Sequence, residues 1–178
     1  MTTELDPAAV VREHAAFVWR VLRYQGVPEA ELEDVSQEVF LVIVRSLGRF
    51  EGRATLQTWI YGVCRNVALH ARRSHARNRE SASDTLPEVG SAETQSQDLA
   101  RLRMLDALRA ALAALAEPTR MTFVLFEIEQ LAMHDVSKAV GCAVSTSYSR
   151  LYAAREHVKR TLEAGGHLDA YRELAEAL

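Results

Sequence analysis

The stretch from Leu131 to Arg155, LAMHDVSKAVGCAVSTSYSRLYAAR, decides the fold of this chain. Its pattern predicts a short helix over about 135–140, a turn at Gly141 and a longer helix over about 145–162. Two helices joined by a short glycine turn are typical of a helix-turn-helix, whose second helix enters the DNA major groove. An ordinary helical hairpin with a mixed surface is the alternative. The apolar stripe of the longer helix comprises Leu151, Ala154, Val158 and Leu162.

The other side of that longer helix carries hydroxyl and cationic side chains. Such groups suit the base edges and phosphates of a major groove when they stand on an exposed helix. The candidate DNA-contacting residues of this helix are Ser145, Thr146, Tyr148, Ser149, Arg150 and Arg155.

A second motif, DVSQEVF, spans residues 34–40 of a helix that we predict over about 31–47. On a wheel of about 100° per residue, apolar side chains cover one broad arc and polar side chains cover the other. A polar face with an apolar centre fits a docking surface, whereas a solvated charged face with one stray leucine is the alternative. The polar face comprises Asp34, Gln37, Glu38 and Arg45, with Leu41 at its centre.

A long helix is predicted from about residue 55 to residue 79, after a loop over 48–54. Trp59 belongs to its apolar arc, next to the border that carries Asn66 and Arg73, and it is either a core residue or a stacking surface for an unpaired base. The segment 65–79 contains five arginines and two histidines and no acidic residue, which favours phosphate contacts over a plain solvated face. Asn66, Arg72 and Arg73 are the candidate DNA-contacting residues there.

Helical periods recur throughout the chain and no β-type alternation persists, so the sequence predicts an all-α protein. Residues 81–97 contain Ser, Pro, Gly and acidic residues without an apolar period, which favours a flexible acidic linker over an ordered loop. We therefore expect two small helical domains, over 1–80 and 98–164, with a tail over 165–178.

Composition excludes several classes of protein. The 178 residues are 48% hydrophobic and 25% charged, which is typical of a globular chain. No apolar run approaches the ~20 residues that span a bilayer, and the acidic N-terminus is unlike a secretory signal, so we expect a cytoplasmic protein without membrane insertion. Cys64 and Cys142 are expected to be free thiols. Cysteines and histidines lack metal-ligand spacing, and no residue set indicates catalysis, so we expect neither metal, cofactor nor catalytic residue.

The first half of the chain resembles the second conserved region of bacterial RNA polymerase sigma factors, particularly the extracytoplasmic-function (ECF) group. The resemblance consists of the motif at 34–40, the loop after it and the helix that begins near Leu56. The stretch 131–155 resembles the fourth conserved region of the same group. Two motifs in the family's order make the resemblance more specific than either motif alone. It implies a promoter-specificity subunit that binds core RNA polymerase and recognises and melts promoter DNA.

The resemblance also implies roles for individual residues. Asp34, Gln37, Glu38 and Leu41 match the surface that binds the clamp helices of the polymerase β′ subunit, and the linker matches a connector that passes through the polymerase, where the β subunit is a further partner. The tail after Gly165 is a candidate contact for an antagonist protein, an anti-sigma factor, or packs onto the second domain. The residues of the loop and helix that match the capture of the promoter element nearest the start site are Arg49, Phe50, Gly52, Arg53, Trp59, Asn66, Arg72 and Arg73.

The chain departs from the family at two positions. A branched apolar residue and a lysine are usual where Ser147 and Tyr148 stand. Ser147 falls inside the apolar stripe, so we expect its hydroxyl to bond to a carbonyl one turn earlier or to leave the packing loose. Tyr148 replaces a phosphate-binding cation, which bears on how the upstream promoter element is bound.

Three rival functions are consistent with parts of the sequence. A self-standing repressor or activator would explain the helix-turn-helix but not the face around Leu41. An enzyme acting on nucleic acid would need clustered carboxylates, a phosphate-binding glycine loop or metal spacing, which the sequence lacks. A protein adaptor would be consistent with the departures at Ser147 and Tyr148.

Overall fold

The computed structural model describes residues 5–79 and 96–171, with side chains described over 5–73 and 99–171. These residues form helices and no strand, so the all-α prediction is confirmed for the part of the chain described. The expected linker lies outside the described residues, except that 96–97 already belong to a helix. Its flexibility stays a prediction.

The first half is a bundle of three helices. Helix α1 spans Pro7–Tyr24, α2 spans Leu32–Ser46 and α3 spans Leu56–Arg79. Asp6 caps α1, because its carboxylate accepts hydrogen bonds from the backbone N–H groups of Ala8 and Ala9. Short 3₁₀ turns precede and follow α2, at Glu29–Glu31 and Leu47–Arg49. The fully buried side chains between these helices include Val18, Leu22, Val39, Ile43 and Ile60.

The main helices described in the second half lie within residues 96–164. They are α4 over Ser96–Ala113, α5 over Glu117–Phe123, α6 over Met133–Val140 and α7 over Val144–Ala164. Helix α5 ends at Phe123, and a π-helical turn covers Val124–Ile128. In that turn the N–H of Glu129 donates to the carbonyl of Val124, five residues back, which widens the helix.

The helix-turn-helix geometry forms at Gly141. This residue ends α6 in the left-handed conformation, with φ 70° and ψ 44°, which a side-chain-free residue adopts without strain. Helix α7 then begins at Val144, and its inner stripe of Leu151, Ala154, Val158 and Leu162 is buried, as its spacing predicts. Residues 168–171 continue as helix, and Tyr171 packs against the core; residues 172–178 lie outside the described part.

The two halves pack against each other. Helix α3 contacts α6, and α1 contacts α4. Ion pairs between described side chains join the halves: Arg20 of α1 binds Glu129, and Arg72 of α3 binds Glu117. The Arg20 guanidinium is bidentate, with Nε–Oε1 at 2.6 Å and Nη2–Oε2 at 2.8 Å, and this hydrogen bonding to Glu129 raises the pKa of Arg20. The sequence offered no sign of this packing.

Candidate nucleic-acid and partner interfaces

Helix α2 presents the polar face that its spacing predicts. Asp34, Gln37 and Glu38 are exposed, and Leu41 among them is 54% exposed. The opposite side of the same helix is buried against α1 and α3. The acidic face of α2, with its leucine, therefore remains on the surface.

A further apolar residue belongs to this face. Val44 is exposed, and it lies three residues after Leu41, on the same side of the helix about 60° away. The apolar centre thus consists of two neighbouring side chains, which is more than one stray leucine. The helical wheel could have found Val44, because a valine outside the buried arc was visible in the sequence.

A pocket of about 280 Å³ opens between the loop after α2 and the start of α3. Gly52 adopts φ +68° in that loop, where a side chain would be strained, so the loop reverses sharply beside α3. Thr55 begins α3 by accepting a hydrogen bond from the N–H of Thr58 at 3.3 Å. The pocket is lined by Arg49, Phe50, Glu51, Gly52, Arg53, Ala54 and Trp59.

Aromatic rings and charges share this pocket. The rings of Phe50 and Trp59 lie with centroids 5.6 Å apart and planes tilted by 55°. Trp59 is half-buried: it packs against the hydrophobic core and also lines the pocket. Arg53 is exposed and pairs with the neighbouring Glu51. The two roles that we considered for Trp59, core packing and a surface for a base, are therefore geometrically compatible.

The basic side of α3 is only partly available to a partner. Asn66 and Arg73 are exposed. Arg72 instead points toward the second half of the molecule, where both terminal nitrogens lie 3.1 Å from Oε2 of Glu117. The side chains of residues 74–79, which complete the predicted basic segment, lie outside the described part.

The outer side of α7 carries the predicted polar residues. Ser145, Thr146, Tyr148 and Ser149 are all exposed. Ser149 donates its hydroxyl to the carbonyl of Ser145 at 3.1 Å, so this hydroxyl offers only its lone pairs outward. The described geometry agrees with a helix whose outer face is free of protein packing.

Ser147 is fully buried, and its hydroxyl pairs with a thiol instead of the backbone carbonyl that we considered. Its Oγ lies 3.2 Å from Sγ of Cys142, in the turn that precedes α7. The thiol compensates the buried hydroxyl, so Ser147 fits the apolar stripe with a local polar partner. Cys142 is half-buried, and five residues separate the pair.

Arg150 and Arg155 of α7 are bound within the helix-turn-helix half. Arg150 donates to Sγ of Cys142 at 3.3 Å. Arg155 donates to Oε1 of Glu127 at 2.6 Å, and its guanidinium carbon lies 5.9 Å from the centroid of the Phe126 ring. Both arginines are therefore less available for phosphates than the sequence suggested. Glu127 lies 28 positions before Arg155, and no spacing pattern in the sequence pairs them.

Thiols and ligating side chains suggest no other chemistry in the described residues. Burial raises the pKa of the Cys64 thiol to about 12, which keeps it protonated and unreactive at neutral pH. Across residues 5–73 and 99–171, no three His, Cys, Asp or Glu side chains come together as metal ligands would. Over the same part of the chain, every helix is too short or too polar to cross a bilayer.

Two family models match the chain, one in each half. The model described as "Sigma-70 region 2" matches residues 10–78. The model described as "Sigma-70, region 4" matches residues 105–158. The first match contains the α2 face and the pocket, and the second contains the helix-turn-helix.

Relatives with curated names cover nearly the whole chain. The "RNA polymerase sigma-H factor" of Pseudomonas aeruginosa is 28% identical, over 92% of this chain and 96% of the relative. The "ECF RNA polymerase sigma-E factor" of Escherichia coli strain K12 is 27% identical, over 85% of this chain and 88% of the relative. Both matches extend across the two halves and the segment between them.

Two solved structures share the fold. The sigma factor RpoE of Bartonella quintana, solved with the anti-sigma factor NepR, superposes with a TM-score of 0.71 at 19% identity, over 88% of this chain and 96% of that one. CnrH, solved with the cytosolic domain of CnrY, superposes with a TM-score of 0.65 at 20% identity, over 89% of this chain and 88% of that one.

Proposed function

Since the chain belongs to the sigma-70 family, as an ECF-type sigma subunit that recognises promoters for RNA polymerase, we propose a division of its work among three surfaces. The α2 face binds core polymerase, the pocket beside α3 captures a promoter base, and the outer side of α7 reads the upstream promoter element. Each surface lies within a matched region.

The α2 face supports the first role. Asp34 and Glu38 would attract a basic partner helix on the β′ clamp, while Leu41 and Val44 would pack against apolar side chains there. A surface that is charged at its rim and apolar at its centre is the usual anatomy of a protein interface. This exposed acidic and apolar face is the single observation that carries the proposal, because a self-standing DNA-binding regulator would have no use for it.

The pocket supports the second role. A volume of about 280 Å³ with two aromatic rings and flanking arginines suits one unstacked base and the phosphates beside it. Because a base must leave the duplex to enter such a pocket, its capture would stabilise melted promoter DNA. The exposed amide of Asn66 and the guanidinium of Arg73 would extend this contact along α3.

The outer side of α7 supports the third role. Its exposed hydroxyls follow the glycine turn that orients a recognition helix. The linker over 81–97 would tether the two DNA-contacting halves and contact the β subunit on its way through the polymerase. Such a subunit acts by binding and positioning, so we propose that it is not an enzyme, requires no cofactor and works in the cytoplasm with the polymerase.

We further propose an anti-sigma factor as a regulator. The two solved structures described above are both complexes, one with the anti-sigma factor NepR and the other with the cytosolic domain of CnrY. The fold that the chain shares with those neighbours, over almost nine tenths of its length, supports this proposal.

The proposal is tested by charge reversal on the α2 face. The double variant Asp34→Arg and Glu38→Arg should lose binding to core polymerase by at least about tenfold, because two attractive contacts become repulsive. The control is the double variant Glu13→Arg and Glu163→Arg, which makes the same change of net charge at exposed positions elsewhere. Fluorescence anisotropy of labelled protein with purified core enzyme measures both affinities, and circular dichroism checks the helical content.

Transcription completes the test. Holoenzyme assembled with the wild-type chain should initiate at a subset of promoters in a genomic library, and the face variant should initiate at none. Equal core affinity of the face variant and the control would refute the docking role of α2.

A further inference from the structure

An aromatic ridge runs along the outer side of α7. Val144, Tyr148 and Tyr152 are spaced by four residues, so their side chains follow one another on a single face. Tyr148 is 45% exposed and Tyr152 is 66% exposed, and Val144 is exposed before them. Exposed tyrosines one turn apart are costly on a surface that only faces water. This ridge occupies the first half of the helix, the part that enters the major groove in a helix-turn-helix.

The chemistry of this ridge differs from that of its surroundings. Arg150 and Arg155 are directed to Cys142 and Glu127 within the protein, and Ser149 donates to its own helix backbone. The most prominent side chains left on this stretch of the outer face are therefore aromatic rings with a hydroxyl at the tip. Neither of these two arginines is therefore oriented for the bidentate contact by which a guanidinium usually recognises guanine.

We propose that Tyr148 and Tyr152 determine promoter specificity by packing their rings against thymine methyl groups in the upstream element. Thymine is the one base whose major-groove edge carries a methyl group, so an apolar ring on a recognition helix distinguishes it directly. The tyrosine hydroxyls lie beyond the rings and are free to bond a neighbouring base edge or phosphate. The ligand class is an upstream element with thymines placed opposite the ridge. This inference rests on the proposed role of α7 as the reader of that element.

The test removes single methyl groups from the DNA. Holoenzyme with the full chain first selects its upstream element from a promoter library, and each thymine of that element is then replaced by uracil, which lacks only the methyl group. Burying one such group is worth about 0.8 kcal/mol, so we expect about a fourfold loss of promoter binding at one or two positions. Uracil placed between the two promoter elements is the control and should change nothing.

Protein variants link the loss to the ridge. The double variant Tyr148→Ala and Tyr152→Ala should bind the methylated and unmethylated elements equally. The double variant Tyr148→Phe and Tyr152→Phe keeps the rings and should retain the fourfold difference. Both side chains are largely exposed, so the truncations should leave the fold and core binding unchanged, which circular dichroism and anisotropy check.

The outcomes separate the two claims. If the wild-type holoenzyme requires a defined upstream sequence but tolerates uracil at every thymine, the role of the ridge is wrong while the proposed function stands. The same holds if the alanine variant remains as sensitive to uracil as the wild type. If no upstream sequence is required at all, the assignment of α7 as a reader fails first.

Discussion

Replacing Arg20 by alanine should loosen the packing between the two halves. Arg20 is the residue of α1 that reaches Glu129 with two short hydrogen bonds, at 2.6 and 2.8 Å. The Arg20 side chain is 46% exposed, whereas the Glu129 side chain is only 3% exposed. Loss of the arginine therefore leaves a carboxylate that is shielded from water and has lost its cation.

The difference in exposure between Arg20 and Glu129 sets the free-energy cost of removing the arginine. An ion pair in which both partners face water contributes at most about 1 kcal/mol, while the removal of one partner of a fully buried pair costs about 3–5 kcal/mol. The pair between Arg20 and Glu129 lies between these limits, because one partner is buried and the other is half exposed. We expect a cost of about 2 kcal/mol, which changes the ratio of packed to separated halves by about 30-fold.

The positions of the tryptophans provide an assay. Both tryptophans of the chain, Trp19 and Trp59, lie in the first half, so their fluorescence reports unfolding of that half alone. Circular dichroism reports helix in both halves. In urea, the two signals should follow one transition in the wild-type protein, because the packed halves stabilise each other. In the Arg20→Ala variant the two transitions should separate.

A neighbouring ion pair is the matched control. Arg23 lies on the same helix and pairs with Glu29 within the first half, and both side chains are exposed. The Arg23→Ala variant should cost less than about 1 kcal/mol and keep the transitions together. If Arg20→Ala changed unfolding no more than Arg23→Ala does, or if it cost as much in a Glu129→Gln background, the reasoning from the buried carboxylate would be refuted.

Two further predictions concern the first half. The Trp59→Ala variant should lower the amount of open promoter complex by about tenfold, because one stacking surface is lost, while the Trp59→Phe variant should retain most of the open complex. The permanganate reactivity of melted thymines measures the open complex. Unchanged melting in Trp59→Ala would count against the role of the pocket. Burial raises the pKa of Cys64 from 9.0 to about 12, so the thiol favours the folded state fully below pH 9, and this contribution is lost as pH rises through 9 toward 12. The free energy of unfolding, measured in urea from pH 7 to pH 10.5, should fall above pH 9, and it should fall less steeply in the Cys64→Ala variant. If this free energy fell equally steeply with pH in both proteins, the effect would not come from Cys64.

Most of the fold was accessible from the sequence because the signals are local. Asp6 with Pro7 begins α1, the apolar period carries α2 and α3, and Gly141 ends α6, each through interactions within a few residues. The exposed face of α2 followed from the same period. The π turn after Phe123 was missed, because its i to i−5 hydrogen bonds leave no residue signature.

The sequence could not predict the contacts that join residues far apart in the chain. The partner of Arg155 is 28 residues away and that of Arg20 is 109 residues away, so no local pattern in the sequence reveals either ion pair. Ser147 looked like a defect in an apolar stripe because its partner, the Cys142 thiol, lies around the turn. Counting the charged and hydroxyl side chains on a helix face therefore overestimates how many of them are available to DNA, because pairing within the protein occupies some of them.

Arg72 binds Glu117 in the structure and is also a proposed DNA contact. The strength of the ion pair decides whether DNA can displace Glu117. Its terminal nitrogens bind Glu117 across the two halves, so a DNA phosphate that took the same donors would have to displace this carboxylate. Both side chains are about one-third exposed, and breaking such a pair costs little, at most about 1 kcal/mol. A phosphate contact could recover that amount, whereas it could not compensate the buried carboxylate of Glu129. The pair between Arg20 and Glu129, whose carboxylate is buried, therefore contributes more to the packing of the halves than the pair between Arg72 and Glu117 does.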